Sequence, residues 1–317
     1  MATTLTSSTG MAARVGTYYS KLLVNYMMPK LRLMPFADKR PLPEHMGTSV
    51  IWARYSNPTA DATALTQGTA PSALALSSVT VSAVLRQYGY VFGVSDLLEM
   101  TSVDSEVERA VAILGDKAAM TLDTVVRNDI QDATTNFIEL VSGAGTVGAV
   151  SALGSAYTFQ EPVLRQAVWS RLKRLNIEPF EDGNYVGVIH PLNGRDLIGS
   201  AGWQNWFLYV NPEAAYKGEM GRLHATRLIE SGNIYTGSAV ATSATSISAA
   251  YNFIFGKQFY GATEFDGGVH VYVKGPNEFD KSDPINQYST VGYKATFASR
   301  LLNPSAGVIV PGAIAFL

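Results

Sequence analysis

The chain of 317 residues contains no cysteine, and only 16% of its residues are charged. The absence of cysteine excludes disulfides, thiolate zinc sites and cysteine nucleophiles together, so stability must come from packing. Hydrophobic residues make up 47% of the chain, which is high beside so little charge. We therefore expect a surface that meets other protein, on one large domain or on two closely connected domains.

Strong positive charge is absent too. The formal net charge is −2, which excludes a polycationic protein that condenses nucleic acid by neutralising its phosphates. The first residues lack the apolar core of a signal peptide, and the most apolar stretch, residues 306–317, is short and interrupted by Pro311. The sequence therefore predicts neither secretion nor a membrane partner.

Signatures of catalysis are missing from the sequence. The chain contains no H-E-x-x-H, no G-x-S-x-G and no Walker loop, and its four histidines are dispersed without acidic neighbours at metal-ligand spacing. We predict no catalytic residue, no cofactor and no metal site, and hence a protein that is not an enzyme. The histidines are His45, His190, His224 and His270.

One short motif allows a different function. Gly143, Gly145 and Gly148 match the G-x-G-x-x-G pattern of a dinucleotide-binding turn. That turn requires a helix opening at the third glycine, whereas the residues that follow are rich in Ser, Gly and Ala. We interpret the segment as a loop or a weak strand pair and keep a nucleotide-dependent enzyme as an alternative.

Residues 1–47 predict an N-terminal arm, because prolines interrupt any helix after the apolar segment 18–28. Six basic residues against two acidic ones give the arm a net charge of +4. We expect it to lie across another element as a solvated or ion-paired tether, with a DNA-facing patch as the alternative. The candidates for an interior or DNA-facing patch are Lys30, Arg32, Lys39 and Arg40.

Residues 48–92 predict a long β-hairpin. Two strand-like runs, Thr48–Tyr55 and Leu76–Phe92, flank a segment with turn residues. In the second run Val79, Val81 and Leu85 share one face, as a period of two requires. An isolated hairpin is marginally stable in water, so we expect a second subunit to cover it. The candidate interface residues here are Arg54, Tyr55, Leu65, Gln67, Val79, Val81 and Leu85.

Residues 104–137 predict an amphipathic helix of about 50 Å, because apolar residues recur every three or four positions. We expect it to lie on a sheet as the spine of a unit spanning 93–179. Its apolar face contains Val107, Val111, Leu114, Ala118, Leu122 and Val125, and its opposite face contains Arg109, Asp116, Asp123 and Arg127.

The second half predicts a mixed unit over 180–265 and returning strands over 266–317, so the fold class is α+β. Tyr185–His190 is a buried-strand candidate. An aromatic loop follows, which we interpret as an interface anchor; a stacking platform for single-stranded nucleic acid and burial in its own core stay open. The aromatic candidates are Trp203, Trp206, Tyr209 and Tyr216.

Five ordered segments resemble the major capsid proteins of the N4-type branch of tailed bacteriophages (Caudoviricetes), which have the Hong Kong 97-like capsid fold. The segments span nearly the whole chain, and none is a catalytic signature. They are TYYSKLL from Thr17, QYGYVFGVSDLLE from Gln87, LDTVVRN from Leu122, GEMGR from Gly218 and STVGYKATFA from Ser289.

The resemblance implies an N-terminal arm, an extended β-hairpin loop, a long spine helix, and peripheral and axial domains. It implies a structural protein of the virion that self-assembles in the bacterial host cytoplasm into hexamers and pentamers of an icosahedral shell. The shell would enclose double-stranded DNA through weak, non-specific contact. Implied partners are a portal protein and a separate scaffolding protein, and a decoration protein is allowed. An encapsulin-like compartment is the alternative within the same fold.

Two departures from the family concern how subunits are held together. Some members of the fold form an isopeptide bond from a lysine on the extended loop, but residues 56–85 contain no lysine. We therefore expect a non-covalent shell. Gln67 stands where the family pattern suggests glutamate, and Tyr288 where it suggests arginine, so an ion pair between subunits is expected to be missing.

Overall fold

The computed structural model describes residues 21–27, 30–41, 47–55, 62, 64–65, 67–68, 73, 75–102, 106–131, 140–142, 145–147, 158–200, 221–240, 246–264, 269–274 and 287–314. The α-helices are α1 (residues 21–27), α2 (Asp96–Thr101), α3 (Glu106–Gln131), α4 (Glu161–Ala167) and α5 (Pro191–Gly199). A π-helix, Val168–Lys173, continues α4, and single 3-10 turns occupy Met34–Phe36 and Pro304–Ala306.

The described strands are numbered in chain order. They are β1 (Asp38–Arg40), β2 (Ser49–Tyr55), β3 (Ser78–Val84), β4 (Arg86–Ser95), β5 (Leu140–Ser142), β6 (Gly145–Val147), β7 (Tyr185–Ile189), β8 (Arg222–Leu223), β9 (Thr226–Glu230), β10 (Thr236–Val240), β11 (Ser246–Phe255), β12 (Tyr260–Thr263), β13 (Val269–Lys274), β14 (Tyr288–Phe297), β15 (Ser299–Leu301) and β16 (Gly307–Ile314). The fold is therefore α+β, as the sequence predicts.

A six-stranded sheet forms the centre of the second half. β11 pairs antiparallel with β16 on one side and with β10 and β7 on the other, while β7 and β9 run parallel. Every residue of β7 and β16 is buried, which explains why both strands read as apolar runs. Val186 and Val188 face the main core, whereas Tyr185 and Ile189 face a second core beneath α4.

A three-stranded sheet in the order β13-β14-β4 packs under the long helix α3. One face of β14 is buried, as its packing under α3 requires: Val291, Tyr293 and Ala295 are buried, and Lys294 is exposed. The hydroxyl groups of Tyr293 and Thr121 lie 3.3 Å apart and join the sheet to the helix.

Helix α3 confirms the predicted spine over 26 described residues, a length of about 39 Å. The predicted apolar row is buried or half-buried. Helical spacing predicts Asp123 on the opposite, exposed face. This prediction is wrong, because Asp123 is only 3% exposed. The reason is that the helix is covered on two sides, by the sheet and by the arm.

The described part of the arm packs on its own chain. Leu23 and Met27 of α1 are buried against α3, and a Cβ at Gly115 of α3 would lie 3.1 Å from the carbonyl oxygen of Leu23. β1 then adds a parallel strand to the edge of β12. Over residues 21–27 and 30–40 the arm therefore lies across α3 and β12 of its own subunit.

The hairpin is shorter than predicted. β2 and β3 pair antiparallel from Ser49↔Val84 to Tyr55↔Ser78. The predicted second run, Leu76–Phe92, is wrong as a single strand, because it divides at Leu85 and β4 pairs instead with β14. A period of two continues across Leu85 and therefore cannot reveal the change of partner.

Candidate subunit interface

The base of the hairpin is fixed to its own subunit through Trp52. The Trp52 side chain is buried and packs closely against β12. A Cβ at Gly261 would lie only 2.6 Å from its ring. Val50 and Ala83 join it in a small core. The face that the sequence predicts to need a neighbouring subunit is thus partly covered by the chain itself.

We call the face of the hairpin that packs on its own subunit the inner face; its residues become more exposed from Leu85 toward Val79. Leu85 and Val81 are half-buried against the small core, while Val79 is exposed. Opposite Val79, the guanidinium of Arg54 donates a hydrogen bond to the side-chain oxygen of Asn303. Arg54 therefore ties the hairpin to the body of its own subunit at the level of Val79.

The outer face of the hairpin carries apolar side chains without cover from the described residues. Ile51 is 55% exposed, and Tyr55 and Val84 are each 63% exposed. Beyond the strands, Leu65 is 74% exposed, and Gln67 is exposed in a turn. Of the predicted interface residues, Tyr55, Leu65, Gln67 and Val79 are thus available to a partner.

A second apolar surface, which the sequence prediction missed, follows the hairpin. Tyr90 and Val91 are exposed on opposite faces of β4, whose outer edge has no partner strand among the described residues. After β4, the six residues of α2 expose Leu97 and Met100, the latter 82% exposed. The sequence feature that could have revealed this surface is the pair of apolar residues Leu97 and Met100, which the six-residue helix is too short to bury.

The arm cations lie in three different settings. Lys30 forms an ion pair with Asp116 on α3. The backbone N–H of Arg32 donates a hydrogen bond to the Asp123 carboxylate. Lys39 and Arg40 are exposed on the edge strand β1. Lys30 is therefore ion-paired within its own subunit, as the tether interpretation expects.

The remaining sequence candidates are distributed as follows. The aromatic residues Trp203, Trp206, Tyr209 and Tyr216 lie outside the described residues, as do Gly143, Gly148 and His45. Ser142 pairs with Gly145 in the antiparallel β5–β6 ladder, whereas a dinucleotide-binding turn leads from a strand into a helix. The local structure thus disfavours the nucleotide-dependent enzyme and confirms the weak strand pair.

Two of the three described histidines have structural surroundings, and the third, His270, is exposed on β13. His190 caps α5, since its Nδ1 accepts the N–H of Leu192 at 3.3 Å, and burial lowers the pKa of its imidazole. His224 Nε2 lies within hydrogen-bond distance of Glu161. Within the described ranges, no group of three or more metal-ligating side chains lies together. No helix in this part of the chain is long and apolar enough to cross a membrane.

Solved structures share this architecture along most of the chain. The capsid of Ralstonia phage GP4 matches with a TM-score of 0.62, 14% identity, and coverage of 89% of this chain and 88% of that one. The acid-stable capsid of Helicobacter pylori bacteriophage KHP30 matches with a TM-score of 0.61, 9% identity, and coverage of 87% and 88%. The chain has a phage capsid fold.

A third solved structure has the same fold. The capsid of a native GTA particle matches with a TM-score of 0.60 and 13% identity, covering 89% of each chain. No protein-family model matches the sequence, and no curated protein matches it. The Hong Kong 97-like capsid fold predicted from the sequence is consistent with these structures, while the N4-type branch stays a prediction.

Proposed function

We propose that this chain is the major capsid protein of a tailed bacteriophage, a structural subunit without catalytic activity. The observation that carries the proposal is the fold, which this chain shares with phage capsids over nearly nine tenths of its length. The subunit forms hexamers and pentamers, and these close into an icosahedral shell around double-stranded DNA.

The exposed surfaces support assembly. The outer hairpin face at Ile51 and Val84 and the α2 surface at Leu97 and Met100 are apolar and uncovered, as expected for contacts between subunits. Each contact is modest. Closure of the lattice makes every further contact effectively intramolecular, so many weak contacts give a stable shell and still permit correction during assembly.

The units of the fold then take separate roles. The arm (residues 1–47) and the spine helix α3 hold the peripheral unit, the hairpin at 48–84 extends toward a neighbour, and residues 180–265 form the axial unit. The aromatic residues Trp203 to Tyr216 would meet at the local symmetry axis. A separate scaffolding protein, a portal protein and a decoration protein are the proposed partners, and the virion is the proposed location.

Electron microscopy of the purified full-length protein tests this function. We expect closed icosahedral particles, and virions in which this chain is the main shell component around DNA. Smaller shells that hold protein cargo and no DNA would support the encapsulin-like alternative. A monomer or small oligomer that binds a dinucleotide would overturn the proposal in favour of an enzyme.

A further inference from the structure

The exposed side of α4 and its π-helix concentrates positive charge. Residues 165–174 contain four of the chain's 24 Lys and Arg residues and no Asp or Glu, although the whole chain has a formal net charge of −2. The cations are Arg165, Arg171, Lys173 and Arg174. We call this surface the basic face and define it by these four residues together with Trp169.

Packing on the six-stranded sheet determines which side of the helix is exposed. Val163, Leu164, Ala167, Val168 and Leu172 are buried in the second core. Arg165, Trp169 and Arg174 consequently point away from the protein and are exposed, with Arg171 and Lys173 half-buried at the margin. The burial pattern thus turns the apolar side inward and the cations outward.

The positive charge of this face is not neutralised by described carboxylates. Ion pairs occur at its ends, where Glu161 pairs with Arg165 at 3.9 Å and Glu178 pairs with Lys257 at 3.2 Å. Across the described ranges, no ion pair involves Arg171, Lys173 or Arg174. Three cations are therefore available to an external anion.

The aromatic residue adds to the positive character of the face. Trp169 is 56% exposed, and the Lys173 ammonium lies 3.9 Å from its ring centroid. This cation–π contact holds the ammonium over the ring. A protein-binding surface has an apolar centre with charges at its rim, whereas four of the five residues that define this face are cationic.

We propose that the basic face binds the phosphate backbone of double-stranded DNA. Arg171, Lys173 and Arg174 lie within four residues of one another, so their three charges can contact neighbouring phosphates of the DNA backbone. Guanidinium groups suit this contact, because they bind phosphate oxygens in a bidentate manner.

The assignment has a consequence for the orientation of the subunit. If the chain forms a shell around DNA, which rests on the proposed function, the basic face lies on the inner side of that shell. Contacts are weak in one subunit and many in the whole shell, so the genome is held without sequence preference. The helix, rather than the arm, is then the DNA-facing element.

Salt-dependent binding of a short mixed-sequence DNA duplex to the purified full-length protein tests the basic face. Each phosphate contact contributes about 0.9 to the slope of log K against log salt. We expect R171Q/R174Q to make the slope shallower by about 1.8. The matched control K39Q/R40Q removes two exposed charges from the arm and leaves the slope unchanged.

A gain-of-charge variant keeps the test independent of any folding defect. Ser170 is exposed on the same helix, and Ser170→Lys should steepen the slope by about 0.9. An equal loss in R171Q/R174Q and K39Q/R40Q, no binding of the duplex, or tighter binding of poly-glutamate than of DNA would overturn the proposal. The shell itself is tested separately by microscopy, so the two failures are distinguishable.

Discussion

The carboxylate of Asp123 accepts the backbone N–H of Arg32 at 2.7 Å. It also accepts the N–H of Leu33 at 3.3 Å, and the Tyr260 hydroxyl donates to the Leu33 carbonyl at 2.6 Å. Burial raises the pKa of the Asp123 carboxyl, and burial together with this carboxylate raises the pKa of Tyr260. Spine helix, arm and β12 therefore meet in one buried polar cluster.

Removing the Asp123 carboxylate should loosen the arm. Asp123→Ala leaves buried N–H groups unpaired and lowers the free energy of unfolding by on the order of 2 kcal/mol. Urea unfolding of the unassembled subunit measures this loss. Asp116→Ala is the control, because the Asp116 carboxylate is 42% exposed in its pair with Lys30 and such pairs contribute less than about 1 kcal/mol. Equal losses would contradict the role given to Asp123.

His190 should make stability depend on pH. Its Nδ1 accepts a hydrogen bond, which requires the unprotonated ring, and its pKa is lowered by burial. The unfolded chain therefore binds the proton more readily than the folded one. The contribution of His190 is present above the ordinary pKa of about 6.5 and is lost as the pH falls toward the lowered folded value.

The variant His190→Asn keeps a capping acceptor without titrating in this range. Thermal unfolding across a series of pH values should show a smaller loss of stability on acidification for this variant than for the unmodified chain. Parallel curves for the two proteins would refute the prediction.

Neighbouring residues on β2 should separate folding from assembly. Val50 is buried in the small core and Ile51 is exposed on the outer face. Val50→Ser should lower the free energy of unfolding by about 2 kcal/mol. Ile51→Ser should change it by less than about 0.5 kcal/mol and still reduce the yield of shells in electron micrographs. An Ile51 variant that assembles normally would remove this face from the interface.

The shell should dissociate into monomers in hot detergent. Residues 56–85 contain no lysine that could form an isopeptide bond with a neighbour. Boiled particles should therefore give one band near 34.1 kDa on a denaturing gel. A ladder of multimers would show covalent links and sink the prediction.

Local sequence was sufficient to predict the spine helix, whose apolar residues recur at helical spacing, and the buried strand β7, which is a short apolar run. It failed at Asp123, since helical spacing shows which residues share a side and not what packs there. The arm that covers Asp123 lies about ninety positions earlier in the chain. A short stretch of sequence cannot reveal packing between residues that lie so far apart in the chain.

The same limit applies to the candidate interface. Arg54 was assigned to a partner subunit, but Asn303 from the far end of the sequence binds it. At Leu85 the strand partner changes from β2 to β14 without any change in the alternation. The exposed outer face at Ile51 and Val84 was not predicted, because the alternation assigned the need for cover to the opposite face of the hairpin.

The pairing of β1 with β12 imposes an order on synthesis. Asp38–Arg40 hydrogen-bond with a strand that includes Gly261–Thr263, so β1 has no partner strand until the ribosome has made most of the protein, although α1 can already pack on α3. Contacts of such long sequence separation form late and slowly. A nascent subunit must therefore leave β1 unpaired through most of translation, and pairing of β1 with β12 marks the completion of the assembly-competent subunit.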